Sequence, residues 1–348
     1  MRMAGLHDEV DERMKALLRR RREQLQKATR LLPGSVPHDN LRPINVPGRF
    51  AGATLINFLT ERFPNTSRDE WLELIAVGRI VARRRGVVPC GVDPARPDQH
   101  PGALASDHIV REGERFDHVT PANVEPDVNA DIDVLYEDES IVVVNKPAPL
   151  PMHPCGRFER NTLQSILDSV YAPQRLRAAH RLDAATSGIV LHSRSRDVAR
   201  KVQPQFEQRR VEKVYVARVA GSPVEDQFVC AQPIDTSTQP GGLRNTDQKG
   251  HPAETRFRVL SCCEDGTSLV EARPITGRTN QIRIHLWSLG LPIVGDSFYL
   301  ADGELGTNDT PDVDAQPLCL HAKSLTFEHP DSGEPVTFEA PLPKWVLN

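Results

Sequence analysis

In the second half of the chain, apolar residues come in short runs separated by polar turns. Residues 132–136 and 141–145 flank Glu137-Asp138-Glu139 and predict a hairpin. The unbroken run Ile189, Val190, Leu191 reads as a buried strand. Further strands are expected over 214–220, over the pair 255–261 and 268–273, and in a closing hairpin that joins 325–327 to 336–338. Helical spacing is confined to 161–170, about 197–208, and 281–289, where Ile282, Leu286 and Leu289 share a face. Strands outnumber helices and join mostly through hairpins. That predicts an α+β fold with a mostly antiparallel sheet.

The first third reads differently. Residues 12–31 have helix-forming composition, with Leu17, Leu18 and Leu25 on a partial stripe and Arg19, Arg20, Arg21 and Arg22 forming a cationic side. Pro33, Gly34, Pro37, Pro43 and Pro47 then break regular structure, so 1–48 is expected to be a basic helical extension and linker. A helical pattern over 54–59 follows. Thr66-Ser67 caps a second helix over 68–77 that carries Trp71, Leu74 and Ile75 on one face. Gly78 ends that helix and Arg79-Ile80-Val81 starts a strand. Residues 121–130, with Pro121 and Pro126, read as a second linker. The expected organisation is therefore 1–48, a small domain at 49–120, a linker at 121–130 and a main domain at 131–348.

Composition narrows the class. No apolar run approaches the ~20 residues that cross a bilayer, so no membrane span is expected. The first residues carry Asp8, Glu9, Asp11 and Glu12 without an apolar core, which argues against a leader peptide. The 6 cysteines include no C-x-x-C pair, which fits reduced thiols and a cytoplasmic location. Net charge is −4, but residues 1–130 carry 20 Lys and Arg against 18 Asp and Glu, and the remainder 23 against 29. Any nucleic-acid surface must then be a local patch, with residues 19–22, with Arg83, Arg84 and Arg85, or with Arg194, Arg196, Arg200, Lys201, Arg209 and Arg210 as candidates. His153 with Cys155 and His321 with Cys319 lie close in sequence, but neither has a partner pair at zinc spacing, so no metal site is expected. There is no G-x-G-x-x-G and no P-loop, so no nucleotide or redox cofactor is expected.

The most informative string is His180-Arg181-Leu182-Asp183-Ala184-Ala185-Thr186-Ser187-Gly188. It sets a carboxylate beside a cation and an imidazole, then makes a turn of small residues before the buried run. An acid held at such a turn is fixed in space, as a reacting carboxylate must be. Taken alone, a surface turn with a solvated Arg–Asp pair is the plainer account.

The whole string resembles the HRLD-x-x-TSG signature of the RluA-type pseudouridine synthases. Val144-Asn145-Lys146-Pro147, Lys213-Val214-Tyr215-Val216-Ala217-Arg218-Val219, Lys249-Gly250-His251-Pro252-Ala253-Glu254-Thr255 and Gly277-Arg278-Thr279-Asn280-Gln281-Ile282-Arg283-Ile284-His285 resemble further family segments in order. So do Leu291-Pro292-Ile293-Val294-Gly295-Asp296 and Leu320-His321-Ala322, and the matches span roughly 130–345. Asn280 departs from the usual His, and Pro149-Leu150-Pro151 from the usual Gly-containing loop. Residues 49–120 resemble, less closely, the αL RNA-binding domain of a ribosomal small-subunit protein.

The resemblance implies a bent sheet crossed by a cleft, and an enzyme that isomerises uridines in RNA. Large-subunit ribosomal RNA is the expected target, transfer RNA the second choice, and the enzyme is expected to act as a monomer without cofactor. It places Asp183, Tyr215 and Arg283 at the catalytic positions, and Arg181, His180, Lys146, Arg278 and Gln281 on the substrate. Arg283 is expected to pair with Asp183 and keep it ionised. Tyr215 can stack on the uracil. Arg181 can fill the gap left by the extruded base, while His180 buttresses the turn. The alternative is a non-catalytic RNA-binding or ribosome-assembly factor on the same fold; the joint presence of Asp183, Tyr215 and Arg283 argues against it.

Overall fold

The structure is a computed structural model that describes residues 2–64, 66–83, 104–235, 244–301, 303–306 and 312–347, with side chains from residue 12 onward. Arg84, Arg85 and the Pro-rich loop at 89–101 lie outside the described residues, as does part of the acidic loop at 302–314. The chain divides into two compact units, one formed by residues 1–33 and 126–348, the other by 34–125.

The smaller unit contains β1 (His38–Asn45), α2 (Leu55–Arg62), α3 (Arg68–Ala76), β2 (Ile80–Ala82) and β3 (Arg115–Asn123). Its sheet has the order β1-β3-β2, antiparallel throughout. Leu55, Phe58, Leu59, Trp71, Ile75, Ile80 and Phe116 form its core. Helix α3 starts at a capping box. The Glu70 N–H donates to Ser67 Oγ at 3.2 Å, and the Glu70 carboxylate accepts the Ser67 N–H at 2.7 Å. Gly78 ends the turn at φ +70.

Two stretches expected to be linkers are strands instead. Residues 38–45 form β1, and β3 runs on to Asn123. Pro43 is tolerated because β1 lies at the edge of the sheet, where a missing N–H costs no ladder bond on the open side. The ends of the unit meet: the Glu125 N–H donates to the Gly34 carbonyl at 2.9 Å.

In the larger unit, the expected extension is part of the main core. Helix α1 (Arg2–Thr29) buries Leu25 in the same cluster as Val134, Leu163 and Ile166. Glu137, only 3 % exposed, accepts hydrogen bonds from the Arg21 and Arg194 guanidiniums and from the Tyr171 hydroxyl. The Arg21 guanidinium also lies 4.2 Å from the centre of the Tyr171 ring. Part of the cationic side is therefore spent on folding, not left for RNA.

The sheet of this unit has ten strands. Eight follow the order β4 (Asp133–Glu137), β5 (Ile141–Lys146), β7 (Ser187–Ser193), β12 (Leu320–Glu328), β8 (Glu212–Ala220), β11 (Thr267–Pro274), β10 (Thr255–Cys262) and β9 (Gln227–Cys230). The short β6 (Arg177–Ala178) pairs with β7, and β13 (Pro335–Glu339) with β12. Among the described residues only β7 and β12 pair in parallel. Gly188 makes that pairing possible: its φ is +116, and a Cβ there would fall 2.3 Å from the Ala322 carbonyl oxygen.

Strands β5 and β7 are continuously apolar because helices cover both faces. Val142, Val144 and Val190 pack toward α4 (Leu163–Val170), while Ile141, Val143, Ile189 and Leu191 pack toward α5 (Arg196–Glu207). Helix α6 (Gln281–Ser288) is not the one-sided helix that its spacing predicts. Every residue from Gln281 to Leu286 is buried, whereas Leu289 is 40 % exposed. No described helix is long and apolar enough to cross a membrane.

Burial holds three imidazoles of this unit far below their ordinary value. It takes His180 down to about 3, and His192 and His321 to about 4. Unfolding lets each regain a proton near pH 6.5, so below that pH the unfolded chain binds more protons and is favoured. Stability is expected to fall as pH drops from about 6.5 to 4, by up to about 1.4 kcal/mol per pH unit for each imidazole. Denaturant unfolding across that range checks this; a flat profile contradicts it.

Candidate active site

Three segments enclose a cleft of about 480 Å³: the turn around 179–186, the end of α5 with the start of β8, and residues 274–283 leading into α6. Its wall carries Arg181, Arg209, Lys213, Arg278 and Arg283 against only Asp183 and Glu207. The cleft wall is thus positive in a chain whose net charge is −4.

Asp183 sits at the turn before β7. The turn closes by the Thr186 N–H donating to the Asp183 carbonyl at 3.1 Å. From the other side, the Leu150 N–H donates to the Ala184 carbonyl at 2.9 Å. The Asp183 side chain is 25 % exposed and so remains open to the cleft.

Lys146, expected on the substrate, is elsewhere. It is fully buried at the end of β5 and does not line the cleft. Its ammonium donates to the carbonyls of Pro147, Leu150 and Ala184 at 3.0, 2.8 and 3.1 Å. Three acceptors match three N–H bonds, so Lys146 ties the Pro-rich loop to the Asp183 turn. Burial lowers its pKa to about 7, while the nearby Asp183 carboxylate acts in the opposite direction.

Tyr215 lies in β8, opposite Ala272 of β11 and Ala322 of β12. Small neighbours on both sides leave room for the ring, which lines the cleft. Burial, then the negative charge of Asp183, pushes its hydroxyl well above the ordinary value. The hydroxyl therefore stays protonated and serves as a donor.

Arg283 pairs with Asp183 as expected, but a second carboxylate holds it more closely. Its main partner is Asp296, not Asp183. Nε and Nη2 donate to the two Asp296 oxygens at 2.7 and 2.6 Å, while Nη1 lies 3.7 Å from Asp183 Oδ2. Both Arg283 and Asp296 are buried. Burial alone would lower the Arg283 pKa, but the Asp296 carboxylate outweighs it and Asp183 adds to the rise. Asp296 Oδ1 also accepts the Phe298 and Tyr299 N–H groups at 2.8 and 3.1 Å. Sequence reading found the Leu291–Asp296 segment but gave Asp296 no role. The available signal was a lone carboxylate beside Gly295, whose Cβ would fall 2.1 Å from the Pro317 carbonyl oxygen.

The remaining expected residues separate. Arg181 is exposed at the cleft. The His180 ring stacks on Phe206 at 5.1 Å, and its Nε2 accepts the Leu191 N–H at 3.2 Å, which buttresses the turn at the cleft wall. Gln281, also expected on the substrate, has all four hydrogen-bonding positions filled. Its oxygen accepts from the Thr276 hydroxyl and the Arg278 N–H, and its nitrogen donates to the Glu254 carbonyl and Thr255 Oγ1. Arg278 spends its Nε on the Pro252 carbonyl at 3.2 Å and lines the cleft. Asn280, the departure from the family pattern, stands at φ +56 and donates to the Tyr299 hydroxyl at 3.3 Å. His321 is buried, its Nδ1 2.8 Å from Ser187 Oγ.

Residues 140–288 match the family described as RNA pseudouridylate synthase. RNA pseudouridine synthase 7 of Oryza sativa subsp. japonica is 32 % identical, over 87 % of this chain and 87 % of its own. Dual-specificity RNA pseudouridine synthase RluA of Salmonella typhi is 37 % identical, over 60 % of this chain and 92 % of its own. Pseudouridylate synthase RPUSD2 of Mus musculus is 33 % identical over 72 % of this chain, which spans only 42 % of that relative's length. The chain belongs to the RluA-type pseudouridine synthase family.

The geometry fixes which residue pairs should depend on each other. Asp296→Ala is expected to cost about 3–5 kcal/mol of stability, because it leaves a buried guanidinium unpaired. Arg283→Lys should recover little of the wild-type stability, since an ammonium cannot make the planar two-point contact. In double-mutant cycles, Arg283 should couple to Asp296 by about 1–3 kcal/mol and more weakly to Asp183. Strictly additive losses at positions 283 and 296 would refute the pairing.

Proposed function

We propose that the chain isomerises uridines in RNA to pseudouridine, in ribosomal RNA of the large subunit ahead of transfer RNA. The observation that carries this reading is the Asp183 carboxylate, open to a positive cleft and 3.7 Å from a guanidinium nitrogen already held in place by another carboxylate. The family and the names of the relatives support the reaction. The resemblance of residues 49–120 to a ribosomal αL domain favours ribosomal RNA.

The isomerisation breaks the base–sugar bond, turns the base and rejoins it through carbon 5. Cleavage puts positive charge on the sugar, as in glycoside chemistry. Asp183 either attacks the anomeric carbon or takes a sugar proton. Uracil leaves with the negative charge, so a second carboxylate is not needed. Arg283 Nη1 holds the Asp183 oxygen, Tyr215 stacks on the uracil and donates from its hydroxyl, and Arg181 fills the stack when the base is flipped out.

When the base rejoins through carbon 5, the hydrogen there is released. RNA labelled with tritium at uracil carbon 5 should therefore lose label to water in the presence of the wild type. Asp183→Asn should cut that release by on the order of 10²–10⁴-fold or more, with RNA binding kept. Tritium release by the purified variant at the wild-type rate would end this reading.

The small unit gives a second test. Removing 1–120 would also remove α1 from the core of the larger unit, so the informative deletion is 34–125 alone. Its ends meet within a hydrogen bond, so a short Gly/Ser linker can bridge them. If the unit binds RNA, the excised protein should show a KM for long RNA raised about 10-fold, with kcat retained and a shallower salt dependence. An unchanged KM and salt slope would leave the unit a structural role only.

A further inference from the structure

Lys146 is fully buried and Lys213 half-buried, and their surroundings differ. Lys146 finds three carbonyl acceptors. Lys213 finds none: among the described residues its ammonium has no hydrogen-bond acceptor and no carboxylate within 4.0 Å. Yet it lines the cleft. It lies in β8 two residues before Tyr215, so the two side chains leave the same face of the strand. Its Nζ reaches across to the 274–278 segment, where a Cβ built on Gly277 would stand 3.8 Å away.

The charge that acts on Lys213 has the same sign. Burial lowers its pKa, and the Arg209 guanidinium lowers it further. Arg209 is itself unusual. It follows α5 at φ +59, a left-handed position where Gly is the ordinary choice and a side chain is sterically penalised. Its guanidinium also lines the cleft and has no acceptor among the described residues. Glu207 shares the wall but makes no ion pair with either cation. Two like charges facing each other without an anion, one of them held by an unfavourable backbone, are left for an anion to complete.

We infer that Lys213 and Arg209 form a subsite for an RNA phosphodiester flanking the nucleotide that enters the cleft. The inference rests on the RNA-acting reading of the cleft. Uracil and ribose are neutral, so the phosphodiester is the part of the strand whose charge and acceptor oxygens match what the pair lacks. The subsite sets where the strand lies relative to Asp183, and it acts on binding and register, not on the bond being broken.

Two variants test it, with a 12-nucleotide oligouridylate as the binding probe. Lys213→Met keeps length and removes the charge. Its log Kd against log salt should be shallower than the wild type by about 0.7, the loss of one single-strand phosphate contact. Its Tm should rise by about 2–4 °C, since a half-buried cation without a partner among the described residues is gone. Arg209→Gly reaches the same site through an exposed residue, so folding is not at risk. It should also flatten the salt slope while relieving the backbone. A lower Tm with an unchanged slope in Lys213→Met, or an unchanged slope in Arg209→Gly, overturns the subsite.

Pseudouridine formation by the wild type on ribosomal RNA transcripts, measured alongside, separates the two readings. Product with a slope indifferent to position 213 removes the subsite and leaves the enzyme. A slope that depends on Lys213 without any product does the reverse. A wild type that shows no salt-dependent binding of oligouridylate removes the subsite.

Discussion

The two-point contact between Arg283 and Asp296 is the constraint on which the site depends. It takes up Nε and Nη2 and leaves Nη1 facing Asp183. The chain from 280 to 299 converges on that arrangement. Asn280 turns through a left-handed conformation into α6, the Phe298 and Tyr299 N–H groups hold Asp296, and their rings lie 4.5 and 5.3 Å from the guanidinium. The consequence is one of charge balance. A buried guanidinium whose sole partner was Asp183 would be stranded whenever that carboxylate gained a proton or formed a bond, at a cost of several kcal/mol. With Asp296 as the permanent counter-ion, Asp183 can change its charge without that penalty.

The Asp183 turn is held just as firmly from the other side. Lys146 joins the carbonyls of Pro147, Leu150 and Ala184, the Leu150 N–H adds a fourth link, and Gly188 lets β7 lie directly against β12. The Asp183 carboxylate therefore projects from a segment fixed on both flanks, while its own side chain stays partly exposed. Rigid backbone with an open side chain is the combination that lets a group be positioned before substrate arrives, so that little ordering remains to be done in the reaction itself.

Much of this was legible in the sequence. Periodicity located the β4–β5 hairpin, α3 with its cap, α5, α6 and the closing hairpin, because in each the local signal agrees with the packing. It failed where tertiary context overrode the local signal. Proline-rich residues 33–47 read as linker, but an edge strand accepts proline. The 281–289 pattern read as one-sided, but α6 is covered all round and spends Gln281 and His285 on internal hydrogen bonds. At the site, motif resemblance named the residues that gather in the cleft, yet it could not assign partners. Asp296 lies thirteen positions from Arg283 in sequence, and nothing in spacing distinguishes it from Asp183 as the carboxylate that a guanidinium chooses. Lys146 and Gln281 carry polar side chains in family segments, so they looked like substrate contacts. Only their filled hydrogen-bonding positions reveal that they brace the walls.

Net charge alone would have argued against RNA, and the reason it misleads is screening. At physiological salt, fields decay over about 8 Å, so an incoming strand responds to the charges lining the cleft and not to the whole-chain sum. Those charges divide into two kinds. Arg283 is neutralised by Asp296, while Arg21 and Arg194 share the single charge of Glu137 elsewhere in the same unit, and such contacts contribute fold and geometry. Arg181, Arg209 and Lys213 face the cleft with no anion among the described residues claiming them. Counting cations therefore misjudges both α1, where Arg21 serves the core, and the cleft, where the charge is not offset. What distinguishes the cleft is positive charge that folding among the described residues has left unpaired.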